Sequence, residues 1–330
     1  EISAQREERL RAVQGFLRTQ LSAALPIPFE FDGDSGAATF VYGLAHDHNF
    51  HFLTVGYHGP GYRSDHYEVD PERGKAGGEG GMNRVQTDVL VVGLGPGGSC
   101  AALTAAAAGA RVIAVERRAE IGVPVQCAEF VPLPMGKYAL ASEVFQQHVT
   151  GMTTILPSGE KLVSDFPGIM IDRARFDQAL AQRAADAGVT ELLETSFESL
   201  DVARSTAIVR KGNQRTEIGF RVLVAADGPG SRVAQSLGLP RLETVDTRQY
   251  VVPLLRRHGH TDIFLSADYP GGYAWLFPKG SVANLGLGFD TKLAPDLKAP
   301  LEALHLQLAG QGLVGMDILG RTAGPLPVGG

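Results

Sequence analysis

The chain has 330 residues, 44% of them hydrophobic and 20% charged, which is the balance of a globular protein with room for two or three domains. Its formal net charge of -6 excludes a dedicated nucleic-acid binder, which needs clustered Lys and Arg. Two cysteines, Cys100 and Cys127, exclude a disulfide framework and a CxxC zinc site. There is no signal peptide and no apolar run near the roughly 20 residues a membrane-spanning helix needs. What remains is a soluble or peripherally attached protein, expected in the cytoplasm.

Residues 1–81 read as a small α+β N-terminal module. Arg9, Leu10, Val13, Phe16, Leu17 and Leu21 have helical apolar spacing over Gln5–Leu25, and Pro26 and Pro28 end that helix. Phe29–Phe31, Ala38–Tyr42 and Phe50–Tyr57 follow as short strands. His46, His48, His51, His58 and His66 fall here; with no cysteine or carboxylate pattern beside them, they read as surface histidines and no metal is expected. The Gly-rich stretch Glu72–Gly81 is a linker, and Met82 is a candidate start of an independent protein.

Beyond Met82 the order is strand, Gly-rich turn, Ala-rich helix, strand. Thr87–Val92 is a continuous apolar run, the pattern of a buried parallel strand. Gly97–Ala108 is a helix closed by Gly109, and Arg111–Glu116 is the next strand. Asp172–Ala187 carries Phe176, Leu180 and Ala184 on one helical face. Ala207–Arg210 and Thr216–Phe220 form a hairpin around Lys211-Gly212-Asn213, and Val222–Ala226 returns as a buried strand. From about Asp246 to Asp290 the pattern is antiparallel β. Asp296–Ala309 is an amphipathic helix.

The strongest motif is Gly93-Leu94-Gly95-Pro96-Gly97-Gly98, a GxGxxG between a strand and a helix. Gly93 makes the tight turn, Gly95 lets the backbone approach a pyrophosphate, and Gly98 lets the helix pack on the strand. The helix N-terminus at Gly97 offers free N–H groups to the phosphates. Glu116, 18 positions after Gly98, is placed to accept from an adenosine ribose, with Arg117 beside it, and a carboxylate there disfavours the 2′-phosphate of NADP. The choice between FAD and NAD needs further residues.

Those residues carry a family resemblance. Ala226-Asp227-Gly228-Pro229-Gly230-Ser231 resembles the Asp-Gly motif of the FAD-dependent aromatic-hydroxylase-like superfamily. Arg173 resembles that superfamily's helix-starting Arg near the flavin; its alternative is a solvated helix-N-terminal Arg. Tyr269–Lys279, with Asn284-Leu285-Gly286-Leu287-Gly288 after it, is similar to the PxxYxWxFPK…G signature of the geranylgeranyl reductase family. Alternation puts Tyr273, Trp275 and Phe277 on one strand face, an apolar wall suited to a polyprenyl chain, or else plain sheet core. Pro124–Glu129 resembles the family's Pro–x–x–Cys–Gly/Ala–Glu loop, in which Cys127 and Glu129 are candidates for positioning or proton supply. A buried structural thiol is the other reading of Cys127.

The resemblance, from about Val89 to Gly330, implies an α/β protein with a Rossmann-like FAD-binding domain over 82–245, rejoined by 321–330. An antiparallel β substrate domain would occupy 246–320. It implies FAD, with NADPH or a ferredoxin-like protein as electron donor, and an isoprenoid or prenyl-lipid substrate whose isolated C=C bonds are reduced. Peripheral membrane contact goes with such a substrate. The alternatives are an FAD-dependent aromatic hydroxylase and a non-catalytic truncated flavoprotein. The chain starts at Glu1 and stops at Gly330 in a turn-like run, before the family's Gly-Asp flavin motif. It therefore reads as a fragment, expected to be inactive by itself.

Overall fold

The computed structural model describes residues 54–56, 83–138 and 142–328. They fall into two compact units, each assembled from separated stretches of chain. The first comprises 54–56, 83–121 and 180–241; the second comprises 122–138, 142–179 and 242–328.

The first unit opens with β1 (Thr54–Gly56), β2 (Asn83–Gln86), β3 (Val89–Val92), α1 (Pro96–Ala107) and β4 (Val112–Val115). The second unit takes up β5 (Phe130–Pro132), β6 (Phe145–Val149), β7 (Gly151–Ile155), β8 (Lys161–Ser164) and β9 (Gly168–Ile171). Helix α2 (Arg173–Asp186) gives its N-terminal half to the second unit and its residues from Leu180 onward to the first. The first unit is completed by β10 (Thr190–Leu192), β11 (Thr195–Asp201), β12 (Thr206–Lys211), β13 (Gln214–Gly219), β14 (Val222–Ala225) and α3 (Arg232–Ser236). The second ends with β15 (Thr244–Pro253), β16 (His260–Phe264), β17 (Tyr273–Lys279), β18 (Val282–Phe289), α4 (Lys298–Gly310) and β19 (Gly320–Pro327).

In the first unit a sheet runs β1-β14-β3-β4-β10, with β14, β3, β4 and β10 parallel and β1 antiparallel at the edge. A second sheet, β11-β12-β13-β2, covers it. The continuous apolar run of β3 follows from this layering. Val89 and Val91 pack toward Ala101, Ala102 and Ala105 of α1, while Leu90 and Val92 pack toward Phe197, Val209 and Ile218. Both faces are buried, so alternation disappears. Alanines on α1 let the helix lie close to the strands.

In the second unit the sheet β19-β15-β18-β17-β16-β7-β8 is antiparallel except for β16 beside β7. The small sheet β5-β9-β6 is separate. Alternation sorts the two faces of the large sheet. Tyr250, Leu276, Leu285 and Leu287 meet Leu301, Leu304 and Leu308 of α4. Trp275 and Phe277 point the other way, against Ala128, Phe130 and Met170.

This division differs from the expected boundaries at two places. Residues 122–179 pack with 242–328 and not with the stretch that begins at Met82. Residues from Gly320 pair along β15 in the large sheet, although 321–330 was expected to rejoin the flavin domain. The Gly-turn half of a nucleotide domain is local in sequence, whereas strand order is not, and β15 offers β19 an edge to pair with. The helix over Gln5–Leu25, the strands Phe29–Phe31 and Ala38–Tyr42, the histidines of residues 46–66 and the linker lie outside the described residues. Of Phe50–Tyr57 the described part is β1, paired to β14 of the nucleotide sheet.

Candidate functional site

Two groups of predicted residues are gathered, one in each unit. In the first unit, Gly93, Gly95, Gly97, Gly98, Glu116, Asp227 and Gly228 lie at the carboxyl ends of the parallel strands β3, β4 and β14. Gly93 has φ +97°, and its N–H donates to the Val115 carbonyl at 2.8 Å. A Cβ at Gly93 would lie 2.2 Å from the Ala226 carbonyl oxygen, and one at Gly98 would lie 1.9 Å from the Gly93 oxygen. The two turns are therefore in contact, and glycine is required at both positions.

Helix α1 begins with Gly95 as an uncapped N-cap, Pro96 in its first turn and no acidic residue there. Its first N–H groups thus have no partner within the helix and carry the positive end of the dipole. Glu116 accepts from Leu94 N–H at 3.0 Å on one oxygen and from Arg118 N–H at 3.0 Å on the other. Each oxygen keeps lone pairs for further donors such as ribose hydroxyls. Arg117 is exposed. Asp227 accepts from Ser231 Oγ at 2.6 Å and from Arg232 N–H at 2.7 Å, so it holds the start of α3. Gly228 has φ +84° and open space beside its Cα. A dinucleotide fits this donor set: free N–H groups for a pyrophosphate, a carboxylate for a ribose, and glycines that admit both.

In the second unit, the loop before β5 is fastened from several sides. Glu129 has φ +68° and is buried. Its carboxylate accepts from Lys279 Nζ at 2.8 and 2.7 Å, from Asn284 Nδ2 at 2.9 Å and from Arg173 N–H at 2.9 Å. Burial of this charge is offset because its lone pairs are occupied by donors. That arrangement suits positioning more than proton donation. Cys127 Sγ accepts from Glu129 N–H at 3.2 Å. Consecutive carbonyls of the loop accept from two side-chain amides: Cys127 from Gln249 Nε2 at 3.1 Å, and Ala128 from Asn284 Nδ2 at 3.0 Å.

The solvated reading of Arg173 is corrected, because the side chain is buried. Its Nε donates to Asp177 at 2.7 Å, and the guanidinium also reaches Cys127. Burial opposes its charge, but attraction to Cys127 and Asp177 and hydrogen bonds to both outweigh that. The guanidinium is held above its ordinary range.

Tyr273, Trp275 and Phe277 do share one face. Ring centroids are 6.0 Å apart between Tyr273 and Trp275, and 6.4 Å between Trp275 and Phe277. The three line a pocket with Gln126, Cys127, Thr247, Gln249 and residues 322–326 of β19. Phe277 is also packed against Phe130 and Met170, so the wall is at the same time part of the core. Four residues of this network had no role assigned from the sequence: Gln249 and Asp177, and Lys279 and Asn284, which entered only as part of the family signature. The available signal was polarity out of place at Asn284, which interrupts a strand of otherwise mostly buried apolar residues. Gln249 follows Asp246, Thr247 and Arg248 and carries no such signal.

Residues 88–233 match the family model of the FAD dependent oxidoreductases. The chain is 34% identical over 257 residues to digeranylgeranylglycerophospholipid reductase of Methanocaldococcus jannaschii, covering 74% of this chain and 66% of that one. It is 38% identical over 217 residues to digeranylgeranylglycerophospholipid reductase 2 of Methanopyrus kandleri, covering 62% and 55%. The chain thus spans less than two thirds of these curated relatives. Among solved structures, a geranylgeranyl bacteriochlorophyll reductase-like protein of Thermoplasma acidophilum superposes with a TM-score of 0.69 at 27% identity. That alignment covers 74% of this chain and 67% of that one. Residues 88–233 therefore carry the Rossmann-like nucleotide fold of the FAD dependent oxidoreductases. The relatives it matches in sequence and in fold include geranylgeranyl-lipid reductases and a geranylgeranyl reductase-like protein.

Proposed function

We propose that this protein works in the reduction of isolated C=C bonds in geranylgeranyl-type chains, with FAD as its cofactor and a prenyl lipid as its substrate. The observation that carries the reading is the wall of Tyr273, Trp275 and Phe277 lining one pocket with Cys127. Flat aromatic faces bind an apolar chain and tolerate cation character at a protonated alkene. The names of the two reductases above support a glycerophospholipid-borne chain. Among the described residues no helix is long and apolar enough to cross a membrane. We therefore place the encounter with lipid at a peripheral contact.

Gly93, Gly95, Gly97 and Gly98 with Glu116 would hold the adenosine and pyrophosphate of FAD, and Asp227-Gly228 the adjoining phosphate side. FAD, when bound and reduced, supplies the hydride. The wall orients the alkene. Cys127 is our candidate for bringing a proton to the second alkene carbon, and Glu129, Arg173 and Asn284 keep its loop in place. NADPH or a ferredoxin-like protein would return the electrons. The test is anaerobic: protein with reduced FAD is incubated with a geranylgeranyl lipid and the product is weighed by mass spectrometry. A gain of two hydrogens per reduced bond is expected. Bound, reduced flavin with unchanged lipid would sink the reading, and O₂ uptake with a phenol would replace it by hydroxylation.

A further inference from the structure

Strand register puts Gln249 of β15 and Trp275 of β17 opposite the same residue, Gly286 of the intervening β18. Two strand spacings separate them, roughly 9–10 Å. Only long side chains meeting over an empty position span that gap. Gly286 provides it: a Cβ there would lie 2.4 Å from the Trp275 ring. Trp275 Nε1 donates to Gln249 Oε1 at 2.9 Å, and Gln249 Nε2 donates to the Cys127 carbonyl at 3.1 Å. Gln249 is buried, with 5% of its surface exposed. Its orientation is forced by its partners, because an indole N–H only donates and a carbonyl only accepts. The position needs one acceptor and one donor on a flat, long side chain. Glutamine supplies both; an ionised carboxylate of the same length lacks the donor.

We propose that Gln249 is a positioning residue that locks the indole of Trp275 to the backbone of Cys127 and so sets the width of the pocket for an isoprenoid chain. The width claim rests on the function proposed above; the lock does not. Without Gln249 the indole loses this acceptor and turns into the pocket, narrowing it beside Cys127.

The chain contains one tryptophan, so its emission reports on Trp275 alone. Gln249→Glu is the informative variant. In its neutral form the introduced carboxyl keeps an acceptor for the indole and a hydroxyl donor for the Cys127 carbonyl. Once ionised, it turns an oxygen toward that carbonyl and breaks the lock. Cys127 and Tyr273 line the pocket, Glu129, Arg173 and Lys279 stand behind Cys127, Asp246 and Arg248 lie on β15, and Arg321 on β19. Wild type shares all of these, so the difference between the two profiles isolates the introduced carboxyl.

Emission maximum and geranylgeraniol affinity, read by quenching of the same emission, are measured across pH at constant flavin content. In Gln249→Glu both should match wild type at low pH. Through one ionisation above the usual carboxylate range, the emission should then shift and affinity should fall about five- to tenfold, the effect of one lost hydrogen bond. Superimposable emission profiles in variant and wild type would overturn the lock. A titrating emission with wild-type affinity throughout would overturn the width claim. If geranylgeraniol does not bind wild type, the isoprenoid reading and the width claim fall together, and the emission profiles still decide the lock. Should Gln249→Glu not fold, Gln249→Met gives the same comparison, with a pH-independent emission shift and the same loss of affinity expected.

Discussion

At the scale of single residues, each position is decided by what its atoms have within reach. Gly95 starts α1 at the point where free N–H groups gather, without a side chain to cover them. Gly95→Val puts a branched side chain there, and stoichiometric flavin absorbance should be lost from the purified protein. Lys279 neutralises the buried Glu129. Lys279→Met strands that charge, so a stability loss of about 3 kcal/mol is expected in denaturant titrations, with part of it recovered by adding Glu129→Gln. Glu191 shows the opposite case. Burial raises its pKa, and its Oε1 is enclosed without a partner. The folded state therefore carries a penalty when Glu191 is ionised, and the penalty fades as pH falls through the raised pKa. Glu191→Gln should stabilise the fold at neutral pH by less than about 1 kcal/mol, the gain shrinking toward acid; a gain that grows toward acid would contradict this account.

At the scale of elements, the strands and helices whose signals are local were legible, namely β3, α1, β4, α2, β12–β14, the antiparallel run β15–β18 and α4. By contrast, β2, β5–β11, β19 and α3 were not read from the sequence. The β3–α1–β4 order follows from an apolar run, a Gly-rich turn and an alanine-rich helix, and the structure adds only end corrections. The hairpin of β12 and β13 turns where expected, at Gly212 with φ +56°. What the pattern of β17 and β18 leaves open is which side chain sits over which. Gly286→Ala addresses that. The added Cβ meets the Trp275 ring and the Arg248 carbonyl, at 2.4 and 2.9 Å. An overpacking cost of about 1–3 kcal/mol is expected, with a shift in tryptophan emission, from a change that on an exposed strand would be nearly neutral.

At the scale of the whole molecule, the chain enters and leaves each unit more than once, so neither unit is one continuous segment. Among the described residues, those upstream of Met82 form β1, three residues antiparallel to the edge of the nucleotide sheet, and the sheet's parallel strands pair without it. A chain begun at Met82 should therefore keep its flavin occupancy, read as absorbance per protein, with only a modest fall in Tm. Loss of folding would show that the upstream residues complete the sheet.

The sequence by itself determined the Gly-rich strand–helix turn and the alternation that puts Tyr273, Trp275 and Phe277 on one face, because glycine conformation and periodicity act between near neighbours. The Cys127-Ala128-Glu129 loop was legible only through a family resemblance. The sequence could not reveal that Arg173 is buried against Asp177, that the carboxylate of Glu129 is saturated, or that Gln249 joins Trp275 to Cys127. Most of those contacts join residues far apart in the chain, 155 positions in the case of Asn284 and Glu129. Register in the large sheet aligns Gln249 with Trp275, and packing of the loop before β5 against that sheet's face brings Cys127 and Glu129 to them. Register follows from the hydrophobic pattern and turn geometry, whereas contacts between a sheet face and a loop from elsewhere in the chain follow only from tertiary packing.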